Sequence, residues 1–159
     1  MFKPLLPGLS LAALCLPATL ALAAVERETF ELYVNIPTVN FYVLPVDPQL
    51  VQREQKLAYN TSTSQLSTLR ALFDVKNVSG GIGARLGEEA YLFNGEDRVD
   101  LSVKFNGVAL SLDRSEVVGA ALAKTGHRVE LEIAAVKPPD DYRPGNYAGT
   151  VHMVFDALL

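Results

Sequence analysis

Apolar and polar residues alternate through residues 29–44, near the start of the chain. Four large apolar residues recur at every second position: Phe30, Leu32, Val34 and Ile36. A period of two is typical of a β-strand with one buried face. Pro37 interrupts the pattern because proline cannot donate to a strand ladder. The alternation then resumes at Val39, Phe41 and Val43, so the pattern predicts two successive strands.

Later segments predict further strands. Residues 55–59 are a short strand candidate, residues 129–135 alternate in the same way, and Val151, Met153 and Phe155 share one face near the end of the chain. Residues 66–75 fit either a helix or a strand, and the surrounding strands favour the strand. A glycine tract at residues 80–83 predicts a loop or a bulged edge.

Residues 115–123 predict a short helix or a turn, with Ser115 as its cap. The loop at residues 138–145 is followed by Tyr147, which is placed to act as a tyrosine corner at the opening of a late strand. About seven short strands separated by turns predict an all-β, immunoglobulin-like β-sandwich.

The clearest local signal is a hairpin about Asn106-Gly107, because this pair favours the positive φ angles of a type I′ turn. Three apolar couples then fall on one face: Phe105 with Val108, Val103 with Leu110, and Leu101 with Leu112. A shift of one residue would expose all six, so the register is strongly specified.

Residues 1–24 have the features of a secretory signal peptide: a positive start, an apolar run and small residues at its end. Cleavage before Ala24 and before Val25 both fit. Cys15, the one cysteine, lies inside this segment, so we expect a mature chain without a thiol. The net charge is −4 and no basic run is present, which argues against a nucleic-acid partner.

No constellation of residues indicates catalysis or a cofactor. His127 and His152 are the only histidines, and with no mature cysteine they leave no cluster of metal-ligand spacing. Neighbouring acidic residues on a strand point to opposite faces, so pairs such as Glu88-Glu89 cannot readily converge on one substrate atom. Asn60 and Asn77 each begin a glycosylation sequon, a motif that is frequent by chance. We therefore expect neither an enzyme nor a metal or cofactor site.

Several segments, in order, resemble one protein family. They are Val25-Glu26-Arg27, Pro37, residues 56–59, residues 129–137 and, above all, the run Gly-Asn-Tyr-Ala-Gly-Thr-Val at residues 145–151. Their order and spacing are similar to those of the major pilins of coli surface antigen and colonization factor antigen fimbriae. These are the alternate chaperone–usher fimbriae, to which cable pili also belong.

The resemblance implies a sandwich that lacks one of its own strands. The gap is expected to be filled first by a periplasmic chaperone and then by the N-terminal strand of the next copy, with an outer-membrane usher exchanging the two. It divides the chain into a signal peptide (1–24), a donor strand (25–36) and a pilin domain (37–159). Other copies of the chain and a tip adhesin are the further partners implied, on a fimbrium at the cell surface.

The resemblance also assigns site residues. The donor side chains are Phe30, Leu32, Val34 and Ile36. The acceptor groove is expected to be bordered by five apolar residues: Val39, Phe41, Val151, Met153 and Phe155. An ungapped match to the family would instead point Thr29, Glu31, Tyr33 and Asn35 inward. The hydrophobic pattern favours the first set, since burying Glu31 without a partner is costly, and either a shifted register or an inserted residue accounts for the difference.

Two other interpretations of the sequence stay open. The first strand could belong to a complete sandwich of its own chain, which predicts a stable monomer. The chain could also be a stand-alone secreted binding module, although it has no tryptophan and few tyrosines for a carbohydrate platform. A tip adhesin is disfavoured because the chain is too short for an additional binding domain.

Overall fold

The structure, a computed structural model, describes residues 40–159. The predicted signal peptide, the predicted donor strand with Phe30, Leu32, Val34 and Ile36, and the groove residue Val39 lie outside the described residues. The assignments made for them from the sequence therefore stay predictions.

The described part is built mainly of short β-strands. In chain order its elements are β1 (Phe41–Pro45), α1 (Gln49–Gln52), β2 (Tyr59–Asn60), β3 (Gln65–Leu66), β4 (Leu69–Asn77), β5 (Ile82–Leu86), β6 (Tyr91–Phe93), β7 (Arg98–Phe105), β8 (Val108–Ala109), β9 (Ser115–Val118), α2 (Ala120–Thr125), β10 (His127–Ala135) and β11 (Met153–Ala157).

All but two of these strands form two open sheets, and every pair is antiparallel. Sheet 1 has the order β1-β4-β10-β7-β6, with β8 hydrogen-bonded to β7. Sheet 2 has the order β11-β5-β9, and β2 and β3 form a separate small hairpin. The all-β sandwich expected from the sequence is confirmed.

The core lies between the two sheets. Its buried side chains come from both: Phe73, Val75, Val103, Phe105, Val129, Leu131 and Ile133 of sheet 1, and Ile82, Ala84, Leu86, Val117 and Val118 of sheet 2. Phe105 is fully buried, and its ring centre lies 5.4 Å from that of Phe73 and 4.8 Å from that of Phe155. These three rings therefore join β4 and β7 of one sheet to β11 of the other.

The period of two identified the longest strands correctly. Residues 69–77 form β4 and not a helix, and residues 127–135 form β10 with alternate side chains buried. The Asn106-Gly107 turn is confirmed, with φ of 51° and 77°. Phe105 pairs with Val108 across it, as predicted.

The third couple of the hairpin was wrong. Leu112 is 53% exposed, and on the side of β7 where Leu112 was expected the amide of Leu101 donates to the carbonyl of Ala90 at 2.9 Å. The chain leaves sheet 1 after Leu110, whose amide still donates to the carbonyl of Val103 at 2.9 Å. The carbonyl of Ser111 then accepts a hydrogen bond (2.7 Å) from the amide of Leu86 in sheet 2.

Three further expectations need correction. Of residues 55–59 only Tyr59 is in a strand. Ser115 does not cap a helix: it begins β9, and the helix α2 starts after Gly119. In the glycine tract, Gly80 and Gly81 lie in a loop, as expected, and a register shift follows between Ile82 and Gly83. That shift is in β5, at the centre of sheet 2 and not at an edge.

Tyr147 lies in the segment before β11 and does not open a strand. Its hydroxyl nevertheless donates to the carbonyl of Arg143, four residues upstream, at 3.0 Å. This is the hydrogen bond of a tyrosine corner. Nearby, Tyr142 packs edge-on against Tyr59 with ring centres 6.0 Å apart, and its burial raises the pKa of the Tyr142 hydroxyl.

The outer face of sheet 1 carries cross-strand ion pairs. Arg128 of β10 holds Asp74 of β4 with two hydrogen bonds, Nε to Oδ1 at 2.7 Å and Nη2 to Oδ2 at 2.9 Å. This hydrogen bonding lowers the pKa of the Asp74 carboxyl and raises the pKa of Arg128. On the same face Arg70 bridges Glu130 and Glu132.

Because of the Asp74–Arg128 pair, we expect a small part of the free energy of unfolding to depend on pH in the acid range. Because the folded-state pKa of Asp74 is lowered, the stabilisation is present above its unfolded pKa of about 3.9 and is lost as the pH falls through the folded value. Urea unfolding followed by circular dichroism at pH 6 and below pH 4 should show a smaller acid-induced loss for Asp74→Asn than for the unmodified chain.

Asp113→Asn is the matched control, since Asp113 is exposed and makes no ion pair among residues 40–159. The pair is solvent-exposed, so added salt should reduce the difference between Asp74→Asn and the unmodified chain. An identical acid response in both variants would contradict the assignment.

Candidate functional site: a groove between two edge strands

Two edge strands, β1 of sheet 1 and β11 of sheet 2, lie beside each other on the same side of the sandwich. Asn77 connects them: it pairs with Phe41 at the start of β1, and its side-chain Nδ2 donates to the carbonyl of Leu158, directly after β11, at 2.9 Å. Because β1 begins at this point and β11 ends there, the two strands run in opposite directions. We call the space between them the edge groove, and the end of the sandwich at Asn77 its upper end.

The backbone of β1 offers hydrogen-bonding groups to this groove. The amide of Val46, directly after β1, donates to the carbonyl of Leu72 at 2.8 Å. Hydrogen-bonded and non-hydrogen-bonded positions alternate in an antiparallel pair, so the odd-numbered Val43 turns its N–H and C=O away from β4. Pro45 is also at an outward position, where its missing N–H removes no ladder bond.

The backbone of β11 is arranged in the same way. The amide of Gly87 donates to the carbonyl of His152 at 2.8 Å, which places the even-numbered residues against β5. The N–H and C=O groups of Met153 and Phe155 therefore point away from β5. Within residues 40–159 no strand pairs with β11 on that side.

The same odd-numbered positions direct their side chains toward the core, where they are only half-buried. This set comprises Phe41, Val43, Val151, Met153 and Phe155, all packed against the buried cluster. The inward residues of the central strands β4 and β5 in the same cluster, such as Val75 and Ile82, are fully buried. The groove thus combines incompletely covered apolar side chains with outward-facing backbone groups on both walls.

The structure places four of the five groove residues predicted from the sequence in or just before β1 and β11, and their role as a groove stays a prediction. Phe41 lies on one wall, Met153 and Phe155 lie on the other, and Val151 precedes that second wall. Val43 belongs to the groove as well, although it was not assigned to it. Its place in the period of two after Pro37 was the signal that could have identified it.

Asn77 is the buried polar residue that fixes the upper end of the groove. It is 1% exposed, and its Nδ2 also donates to the carbonyl of Gly81 at 2.6 Å, while its Oδ1 accepts from the amide of Ser79 at 3.1 Å. One side chain therefore holds β4, the start of β5 and the end of β11 together. Its burial also removes it as a glycosylation acceptor in the folded protein. The sequence showed no sign of this role.

The run at residues 145–151 fixes the lower end of β11. Ala148 and Phe93 exchange two backbone hydrogen bonds, of 2.8 and 3.1 Å, which attach this run to the edge of sheet 1. Gly149 passes so close to β6 that an added Cβ would lie 2.1 Å from the carbonyl oxygen of Tyr91. The chain then reaches sheet 2 through His152. This sequence is accordingly a structural corner that positions one wall of the groove.

Elsewhere in the described part, few surface side chains are arranged for binding or catalysis. A shallow depression of about 450 Å³ is lined by Tyr42, Asp74, Thr125, Gly126, His127 and Arg128. Its two charged side chains, Asp74 and Arg128, are already paired with each other. In residues 40–159 no group of three or more His, Cys, Asp or Glu side chains is placed to hold a metal ion.

A family model for the CS1 type fimbrial major subunit matches residues 26–156, most of the chain. The chain belongs to this family. Among solved structures, the fimbrial subunit is similar to the CooA pilin subunit from enterotoxigenic Escherichia coli, with a TM-score of 0.52 and 17% sequence identity. That match covers 63% of this chain and 75% of the CooA chain, and at this identity it shows the shared fold. No protein with a curated description matches the chain.

The family resemblance read from the sequence is thereby confirmed. The fimbrial subunit is a structural component of a surface pilus, which is assembled from many copies of this subunit, and it is not an enzyme. None of the helices in residues 40–159 is long and apolar enough to cross a membrane.

Replacing Asn77 by alanine should destabilise the fimbrial subunit. The carbonyls of Gly81 and Leu158 would each lose a buried donor, so we expect the free energy of unfolding to fall by about 2 kcal/mol or more. Asn146→Ala is the control because Asn146 is exposed. Equal urea midpoints for the two variants would contradict the role assigned to Asn77.

Replacing Gly149 by alanine should also be destabilising, because its Cβ cannot fit against the carbonyl of Tyr91. Such overpacking typically costs about 1–3 kcal/mol. Gly119→Ala provides the comparison: at Gly119 φ is −68° and the nearest atom to an added Cβ is Glu116 Oε1 at 3.8 Å. Thermal unfolding should therefore show a clear loss for Gly149→Ala alone.

Proposed function

We propose that the fimbrial subunit polymerises by donor-strand exchange, in which residues 25–36 of one copy occupy the edge groove of the next. Phe30, Leu32, Val34 and Ile36 are the side chains that enter the groove. In this scheme residues 1–24 are removed as a signal peptide, and residues 37–159 form the pilin domain that accepts the strand.

The observation that carries the proposal is the state of the two groove walls. Val43 and Phe155 contact the core but are half-buried, and the outward backbone groups of β1 and β11 have the spacing of a ladder. An added strand would bury both side chains and would accept and donate hydrogen bonds at the outward N–H and C=O groups of Val43, Met153 and Phe155, which is the β-augmentation mode of recognition.

The donor segment and the walls of the edge groove have similar lengths. Residues 30–36 span about 23 Å as an extended strand, at about 3.3 Å per residue. The walls β1 and β11 have five residues each, with Val46 and Leu158 continuing the two ladders by one residue. Pro37 ends the donor pattern where the groove ends, since proline cannot continue a ladder.

The attachment of the donor strand to its own domain determines its direction. The donor segment precedes Asn40, and Asn40 is at the upper end, where its carbonyl accepts a hydrogen bond (2.9 Å) from Val78. A donor strand parallel to the acceptor's β1 would exit at the acceptor's lower end. The upper end of one copy would then meet the lower end of the next.

The opposite direction would not make a fibre. A donor strand antiparallel to β1 would place two upper ends together, and such an arrangement can close into a reciprocal dimer. Head-to-tail contacts use different surfaces on the two copies and leave an open end for further addition. Because the family forms fimbriae, we assign the donor strand the direction parallel to β1 and antiparallel to β11.

The energy of the joint is comparable with the stability of a whole domain. Burying four large apolar side chains contributes about 1.5–3 kcal/mol each, or about 6–12 kcal/mol before the cost of ordering the strand. Typical domains are stable by about 5–15 kcal/mol. A subunit with an empty groove would therefore be short of most of its stability.

This deficit gives a reason for the further partners that we propose. A periplasmic chaperone would cover the groove before assembly, and an outer-membrane usher would exchange the chaperone for the next donor strand. A tip adhesin would end the fibre. The fibre as a whole would then support adhesion of the cell.

The test is a self-complemented chain in which a copy of residues 25–36 follows Leu159 through a short flexible linker. Leu158 lies at the upper end, where the donor strand is expected to enter, so a short linker suffices. The expected result is a monomer whose thermal midpoint is at least 10 °C above that of the unmodified subunit, since about 1 kcal/mol shifts the midpoint of a domain this size by several degrees. No increase would overturn donor-strand exchange.

Two variants of the appended copy test the register. A copy with Leu32→Asp should lose most of the gain, because a charge would be buried in the groove. A copy with Tyr33→Asp should keep it, because that side chain faces solvent in the proposed register. The reverse order of effects would show that the strand inserts one residue out of this register.

A further inference from the structure

A short connection must hold consecutive copies close together, if strands are exchanged as proposed. Four residues, 37–40, lie between the end of the donor strand at Ile36 and the start of β1. Fully extended, they reach at most about 14 Å. The upper end of each donor domain is therefore confined to the neighbourhood of the acceptor's lower end.

The acceptor presents exposed apolar side chains at that place. Val46 directly follows β1 and is 41% exposed, and Val51 in α1 is 72% exposed. Leu50, next to Val51, packs against the core, so α1 is anchored and its exposed side is held in a fixed position. Val46 and Val51 thus lie where the groove opens at its lower end.

The donor domain presents a matching pair at its upper end. Val78 follows β4, hydrogen-bonds the backbone of Asn40 and is 38% exposed. Leu122 of α2 is 48% exposed, and α2 leads into β10 beside Val75, near the same end of β4. Both residues are close to the point where the donor segment leaves its own domain.

We propose that these two pairs form a second contact between consecutive copies of this chain. Val46 and Val51 of the acceptor would pack against Val78 and Leu122 of the donor domain. The proposal rests on donor-strand exchange and adds to it: the inserted strand joins two copies, and the apolar contact fixes the angle between their domains. A fibre with this contact is stiffer than one in which the domains are joined by the connection alone.

Cysteine crosslinking within assembled fibres tests the contact directly. The sequence has a single cysteine, Cys15, which lies in the predicted signal peptide, so introduced thiols report only on the chosen sites. Fibres of the full chain carrying Val51→Cys and Val78→Cys would be treated with a short bismaleimide and boiled in detergent. The matched control is Leu112→Cys with Val78→Cys, because Leu112 is 53% exposed but precedes β9, on the side of sheet 2 opposite β11.

Tethered thiols that face each other have effective concentrations of about millimolar, so the Val51–Val78 variant should give about tenfold more covalent multimers than the control. Equal crosslinking of the two variants in fibres that still show a ladder of subunits without boiling would overturn the contact and leave strand exchange intact. Absence of that unboiled ladder in the unmodified protein would overturn strand exchange itself, and this contact with it.

Discussion

The edge between β1 and β11, which no strand of residues 40–159 covers, is the constraint on which the rest of the described part depends. An apolar side chain at a sheet edge must be covered, and a backbone N–H or C=O near it must find a partner. The sandwich meets both needs everywhere between its central strands, where Val75, Ile82 and Phe105 are fully buried. At the edge groove, residues 40–159 meet them only in part, and in the proposed function a strand of another copy supplies the rest.

Several features far from the groove walls serve to hold them in place. Asn77 attaches the end of β11 to β4, and the corner at Gly149 attaches its start to β6. The three packed rings of Phe73, Phe105 and Phe155 cross the core between them. These contacts give the groove a fixed shape, which would lower the ordering cost of binding a strand in the way proposed.

How much could be predicted from the sequence depended on whether a feature is local. The alternation of Val129, Leu131 and Ile133 identified a strand because the period of two is visible within a few residues. Leu112 was misplaced because the chain changes sheets after Leu110, which a local period of two does not reveal. Asn77 was missed for a similar reason: its structural role depends on two carbonyls that are close to it only in the folded chain. The family resemblance predicted groove residues in two segments that are far apart in the chain, because order and spacing carry long-range information.

The groove is also protected against unwanted pairing. A long, flat edge strand is a template for aggregation, and proteins shorten or interrupt such edges. Here both walls are five residues long, and Pro45 ends one of them at an outward position. A passing strand would therefore find few hydrogen bonds, and only a segment with apolar residues at every second position would also fill the floor. Because the edge is short, backbone hydrogen bonds contribute only modestly to binding, and the side chains determine which strand binds.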